Sequence, residues 1–153
     1  MRVQGIGPPS ASLVFVTELP EEWDTLTPFL NGTDLPTSDW VFLTHLMRED
    51  DWPDLEMELN ITRPDTIVTI GPAVTRAFLG EIDMENSYGS PYQVGCFVVF
   101  PAHSPVHEVE FACDMLRLSL YVDGARLFRP PVVIAPAMPQ VPRPPLGQSR
   151  LDL

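Results

Sequence analysis

Lysine is missing altogether from this chain of 153 residues. All of its basic residues are arginines, nine against 21 acids, for a net charge of −12. A chain this acidic is a poor generic binder of nucleic acid, because it lacks the phosphate-neutralising charge that dominates non-specific affinity. Cysteine is nearly missing too. Cys96 and Cys113 stand at no metal-ligand spacing, which argues against a disulfide scaffold and against an iron–sulfur cluster, a group that takes about four thiolates. Long apolar runs are absent. The longest, such as Leu13-Val14-Phe15-Val16 and Phe97-Val98-Val99-Phe100, are the size of a strand, so no membrane span is expected. The N-terminus has no charged segment followed by an apolar one, so no secretory signal is expected. Together these shortages point to a reduced, cytoplasmic setting with no membrane, metal or cofactor. The length suits one domain with a real core.

The charge that is present is unevenly spread. Residues 1–128 hold six arginines and twenty acids, while the remainder holds Arg129, Arg143 and Arg150 against Asp152. An acidic core followed by a mildly basic tail fits solubility alone, and it equally fits a basic protein partner on the acidic face.

Apolar runs and helical periods alternate along the first 128 residues. Residues 12–18 read as a buried strand after a Gly-Pro-Pro entry, and Pro20–Asp24 as the start of a loop or short helix. Thr27–Pro36 holds Pro28, Asn31-Gly32 and Pro36 and reads as a loop. Trp40–His45 is a second strand. Asp50–Asn60 is a helix whose acids crowd its start, with Leu55 and Leu59 on one face. Thr66–Ile70 is a third strand, closed by Gly71-Pro72; a proline in first position then opens a helix over Ala73–Leu79 that Gly80 stops. Gly95–Phe100 is a fourth strand. Val106–Tyr121 is the longest helix, with Val106, Val109, Cys113, Leu116 and Leu120 at helical spacing.

Strands that are apolar throughout, alternating with helices, imply an α/β fold: a three-layer α/β/α sandwich with a central four-stranded parallel sheet. In such sheets functional groups gather beyond the carboxyl ends of the strands. That rule selects Thr17-Glu18, Thr44-His45, Gly71 and Pro101-Ala102-His103-Ser104. Gly71 lacks the rest of any glycine-rich phosphate fingerprint, so a nucleotide cofactor is not expected.

The tail has seven prolines in its last 25 residues and no period. It reads as an extended tether over 129–147, in which Val132-Val133-Ile134-Ala135 can add an edge strand or dock elsewhere. The chain closes on Gln148-Ser149-Arg150-Leu151-Asp152-Leu153. This hexapeptide, 148–153, resembles the bacterial sliding-clamp-binding motif, Gln-x-x-Leu-x-Leu/Phe. In that resemblance Gln148 hydrogen-bonds at the rim of a groove on the clamp while Leu151 and Leu153 fill an apolar pocket. A chance match at a polar chain end is the plainer alternative.

The strand-end residues, in their order, resemble the uracil-DNA glycosylase superfamily, most closely its family 4 type. Leu13–Asp24 resembles the first motif of that branch, a strand that ends in Gly-Glu-x-Pro-Gly. Pro28-Phe29-Leu30-Asn31-Gly32 resembles its Pro-Phe-x-Gly loop. Pro64–Gly80 resembles its third strand and following helix, and Cys96–Pro105 the strand that leads into its His-Pro-Ser loop. The likeness covers residues 8 to about 124. It implies a glycosylase-like domain over 1–128 that extrudes a base and reads its Watson–Crick edge. Glu18 would be the carboxylate that orients water or stabilises a cationic sugar, and His103 the donor to the leaving uracil. Phe29 would stack on the base, with His45 and Ser104 also lining its pocket. Val106 or His107 would be the wedge in the vacated stack.

The chain departs from the family at several of these positions. Thr17 and Glu21 stand where the first motif has glycines, His45 where a strand-2 asparagine reads uracil, and His103-Ser104-Pro105 where the order is His-Pro-Ser; the cluster cysteines are absent. An imidazole offers one donor and one acceptor, without the paired pattern of an amide. Each site residue also has an ordinary reading: Glu18 as a helix cap or solvent-facing acid, both histidines as satisfied strand-end residues, Phe29 as a core anchor. The departures rank a non-catalytic adaptor in DNA replication, repair or translesion synthesis, held at the sliding clamp, ahead of an active glycosylase that binds DNA weakly on its own and removes uracil or another damaged base. A nucleotide-binding α/β domain with no DNA role comes third.

Overall fold

The computed structural model describes residues 4–31, 41–80, 83–122 and 132–134. It is an α/β fold on one sheet, mostly parallel. The strands are β1 (Leu13–Thr17), β2 (Val41–His45), β3 (Thr66–Ile70), β4 (Tyr92–Val94), β5 (Phe97–Ala102) and β6 (Val132–Ile134), in spatial order β2-β1-β3-β5-β4-β6. The helices are α1 (Glu22–Asn31), α2 (Trp52–Thr62), α3 (Pro72–Leu79), α4 (Met84–Ser87) and α5 (Glu108–Val122). Strands β2, β1, β3 and β5 run parallel, so their carboxyl ends share one edge.

Side chains in a strand alternate between faces, and here both faces are apolar and covered. Leu13, Phe15, Val41, Leu43, Val68, Ile70, Phe100 and Ala102 face Trp23 and Leu26 of α1 and Phe111, Met115 and Leu118 of α5. Val14, Val16, Phe42, Ile67 and Val99 face Trp52, Leu55 and Leu59 of α2 and Val74, Phe78 and Leu79 of α3. All five residues of each of β1, β2 and β3 are buried, which is why these strands show apolar runs in place of alternation.

Four sequence expectations are corrected. The sheet has six strands where four were expected. At the far edge β4 is added, antiparallel to β5 through the turn at Gly95-Cys96, and β6, parallel to β4, is the edge strand that residues 132–135 could add. Gly95 takes φ 59° in that turn, so it belongs to the hairpin and β5 begins two residues later. The segment from Thr27 is helical through Asn31, with Pro28 inside α1. Buried Trp23 and Leu26 anchor this helix to the sheet, and the Thr27 hydroxyl donates to the Trp23 carbonyl at 3.0 Å. Proline removes only one backbone donor from the ladder, so packing overrides it.

The fourth correction concerns α5. The stripe of Val106, Val109, Cys113, Leu116 and Leu120 faces solvent. The buried side is Phe111, Asp114, Met115, Leu118 and Ser119. The helix carries two apolar stripes, and the one with the larger side chains, Phe111 and Met115, goes into the core.

Helix α2 starts from a 3-10 turn at Glu49–Asp51, where the Asp51 carboxylate accepts the N–H groups of Met47 and Arg48 at 3.0 and 3.1 Å. It ends at Arg63, a non-glycine residue at φ 46° whose N–H donates to the Leu59 carbonyl.

Candidate functional site at the carboxyl edge of the sheet

The parallel register brings the ends of β1, β3 and β5 side by side. Glu18 follows β1, Gly71 follows β3 and His103 follows β5. With strands spaced ~4.8 Å apart, the backbones that carry Glu18 and His103 stand about 10 Å from each other across β3. Gly71 lies between them. A Cβ there would meet nothing within 4 Å, so the space above this strand end is open. Gly71 takes φ 92° and ψ 164°, a region open essentially to glycine alone. Its N–H donates to the Ala102 carbonyl at 2.9 Å, stitching the two strand ends together. Helix α3 begins at once with Pro72, fastened by the Thr75 hydroxyl, which lies 2.8 Å from the Gly71 carbonyl and 2.9 Å from the Thr69 hydroxyl.

His103 is the most elaborately held residue of this edge. Its backbone N–H and its Nδ1 both approach one oxygen of Asp114, Oδ2, at 2.7 and 2.6 Å. Asp114 comes from the second turn of α5 and is 5 % exposed; the His103 side chain is 26 % exposed. A carboxylate on Nδ1 selects the tautomer with its proton there and leaves Nε2 as the remaining polar atom of the ring. Tyr88 stacks on the imidazole with centroids 3.8 Å apart and planes at 28°. His107 meets it edge-on at 6.3 Å. Burial pushes the Tyr88 phenol up; the cationic Arg76 draws it partly back and Asp114 adds to the rise. Around the corner, the Ser104 hydroxyl accepts the Val106 N–H at 3.5 Å and the Ser104 carbonyl accepts the His107 N–H, forming the turn before α5.

The β1 end is different. Thr17 is buried, and its hydroxyl lies 2.8 Å from the Leu19 carbonyl, fixing the chain as it leaves the strand. Glu18 and Glu21 are exposed. Glu22 is half-buried, and burial pushes its carboxyl up. The Leu19 N–H, which it accepts at 3.3 Å, lowers it, and neighbouring Glu18 and Glu21 raise it further. Three carboxyls therefore crowd this corner and repel any phosphate.

His45, at the end of β2, is fully buried. Its ring lies 6.0 Å from that of Trp23, whose indole N–H donates to the Thr44 carbonyl at 3.0 Å. His45 is thus enclosed in the core, because the second strand is covered by α1. Phe29 falls within α1, and its side chain lies outside the described residues. Gln148, Leu151 and Leu153 also lie outside them.

The edge therefore joins Gly71, His103 and Ser104 closely, sets Glu18 across the gap, and places His45 beneath. Two residues were missed by sequence reasoning. Asp114 had a visible signal, an acid between Cys113 and Met115 on a helix packed against the sheet. Tyr88 had none, since it stands in a turn after the four-residue α4. Among the described residues, no group of three or more histidine, cysteine, aspartate or glutamate side chains is placed to hold a metal, and no helix is long and apolar enough to cross a membrane. No family model matches the chain and no curated protein matches it.

Proposed function

We propose that residues 1–128 are a uracil-DNA-glycosylase-like domain that acts as a non-catalytic adaptor in DNA replication and repair, held at a bacterial sliding clamp by residues 148–153. The observation that carries this reading is the state of the two strand ends that a glycosylase would use to read and cleave. His45 is sealed beneath Trp23, so the second strand offers no base-reading group at the surface. Beside it, Glu18, Glu21 and Glu22 gather negative charge where a DNA backbone would approach. An adaptor needs neither feature. A linker of ~20 residues supplies an effective concentration on the order of millimolar, so a clamp-bound domain needs little DNA affinity of its own.

A second reading, an active glycosylase, would rest on His103, held by Asp114 at the strand end beside open Gly71. Its chemistry is specific. With Asp114 on Nδ1, the ring donates from Nε2 only when both of its nitrogens carry a proton.

One experiment separates the readings. The full chain is incubated with a uracil-containing single-stranded oligonucleotide, with Glu18→Ala and His103→Ala as controls, and in parallel is passed over an immobilised bacterial sliding clamp. Retention that disappears on truncation before Gln148, with no alkali-labile cleavage, is the expected result. Cleavage lost in both variants would replace the adaptor by the enzyme. No retention of a folded chain would remove the clamp from the proposal.

A further inference from the structure

Before β1 begins, the chain runs along the outer edge of β2. Ile6 and Leu43 exchange both of their backbone bonds, each 2.8 Å long, in the antiparallel sense. The Gly5 N–H donates to Oε2 of Glu58 on α2 at 2.8 Å, and the other oxygen of that carboxylate accepts the Thr44 hydroxyl. Glu58 thus ties the segment to the strand and to the helix at once. The Ile6 side chain takes little part, being 53 % exposed. The fit lies in the two glycines. A Cβ on Gly5 would collide with the Phe42 ring and come within 2.9 Å of the Leu43 carbonyl oxygen; one on Gly7 would come within 2.6 Å of the Val41 carbonyl oxygen and 2.8 Å of the Phe42 Cα. Gly7 also takes φ 133°, a conformation natural to glycine. No other Gly-x-Gly occurs in the sequence.

We propose that residues 5–7 are a detachable strap, bound as a peptide ligand in a strand-addition slot on β2 that admits only a Gly-x-Gly segment. Main-chain bonds supply the attraction, as wherever an extended peptide adds to a sheet edge, and the close approach at the two glycines supplies the specificity. Among the described residues, Leu43 is the one residue of β2 bonded to the strap through its backbone. The strap therefore opens without the rest of β2, which stays paired with β1. Backbone groups alternate in direction along a strand, so the N–H of Leu43 turns outward to Ile6 while those of Phe42 and Thr44 turn inward to β1. An open strap leaves Leu43 unpaired on a sheet edge, the state that invites pairing with another chain. The slot limits what can enter. A segment with side chains in place of both glycines is turned away by Phe42 and by the Val41 carbonyl. One ligand class fits, an extended Gly-x-Gly peptide, and the chain carries its own. The carboxyl edge of the sheet and the clamp peptide take no part, so this inference stands apart from the proposed function.

Amide hydrogen exchange of the full chain tests it. The expected result is exchange at Leu43 at least roughly tenfold faster than at Phe42 and Thr44, because the strap opens first. Gly7→Ala should detach the strap and speed Leu43 by about a further tenfold or more, with Phe42 and Thr44 unchanged. Ile6→Ala alters an exposed side chain and keeps the backbone bonds, so it should match the parent. A capped peptide of residues 4–10, added to the Gly7→Ala chain at ~1–5 mM, should slow Leu43 saturably. The same peptide carrying Gly7→Ala should not. A parent in which Leu43 exchanges as slowly as its neighbours overturns the proposal, since the strap then does not open on its own. So does a Gly7→Ala chain that keeps Leu43 protected, or one that exposes all three amides together. An Ile6→Ala chain that behaves like Gly7→Ala, or an equal response to both peptides or to neither, removes the Gly-x-Gly slot and overturns it as well.

Discussion

Asp114 is the residue on which the candidate site stands or falls, and its replacement is the most informative single perturbation. One carboxylate oxygen takes both the backbone N–H and Nδ1 of His103. Hydrogen bonds to a charged group contribute about 1.5–3 kcal/mol each, and leaving a buried donor unsatisfied costs roughly 1–3 kcal/mol. The two bonds share an acceptor and so do not add in full. Asp114→Ala should therefore cost about 3 kcal/mol, a large part of the ~5–15 kcal/mol that a domain of this size has. Asp114→Asn is the sharper probe. Both bonds converge on one oxygen, so an amide oxygen in the same place can keep both as neutral contacts. The expected loss is then about 1 kcal/mol, the difference between a charge-assisted pair and a neutral one.

Urea unfolding measures both, provided the m-value is unchanged. Nitrogen-15 spectra of the histidines supply the chemical readout. The parent should hold the neutral His103 ring with its proton on Nδ1, and Asp114→Ala should move that proton towards Nε2, the form preferred by a ring with no partner. A cost of Asp114→Ala below about 1 kcal/mol, or an unchanged tautomer, would refute the claim that this carboxylate fixes the imidazole.

Three further outcomes follow from the packing. Phe111→Ala, at a fully buried position, should cost about 3–5 kcal/mol, whereas Leu116→Ala on the exposed stripe should change the stability by less than about 0.5 kcal/mol in urea melts. Gly71→Ala meets no steric obstacle yet must hold an alanine at φ 92°, so it should cost about 1–3 kcal/mol by thermal melting through backbone strain alone. Burial holds the Glu22 carboxyl above its ordinary value of 4.5, so the folded state holds that proton more tightly than the unfolded chain. Its charge costs nothing below pH 4.5, and the cost grows as pH rises from there through the raised folded pKa. Glu22→Gln keeps an acceptor for the Leu19 N–H and should raise Tm at pH 7 but not at pH 4, by an amount that solvent screening of a half-exposed carboxyl keeps below about 0.5 kcal/mol.

How far the sequence was legible depended on whether one signal or two competed at a position. Thr66–Ile70 and Leu13–Thr17 had only a strand reading, since an apolar run between Pro or Gly and a polar stop admits little else, and both strands lie where the runs lie. Pro72 had one reading and opens α3. Thr27–Asn31 had a loop reading from its proline, and burial of the Trp23 indole and the Leu26 side chain one turn earlier made it helix instead. The stripe on α5 was ambiguous in the same way, because Phe111, Met115 and Leu118 repeat at helical spacing as well as Val109, Cys113 and Leu116 do. The β4–β5 hairpin was hidden because Tyr92-Gln93-Val94 is too short to carry a period. At the site, chain position alone found His103, whereas its orientation by Asp114 joins residues eleven apart that no local pattern connects.

Helix α5 is where these strands of argument meet. At 3.6 residues per turn it presents Phe111, Met115 and Leu118 to the sheet, Asp114 at one flank to His103, and Val109, Cys113, Leu116 and Leu120 outwards. Asp114 satisfies a backbone N–H as well as the ring, so the pair has a structural reason to exist: it pins the loop after β5 to the helix that covers the sheet. A polar pair that secures a loop requires no reaction, and this is why the dyad alone does not favour catalysis over the adaptor. The two roles diverge in Asp114→Asn. If the pair serves structure, that variant weakens the fold slightly and leaves clamp retention intact; if it serves chemistry, it removes excision while the fold holds.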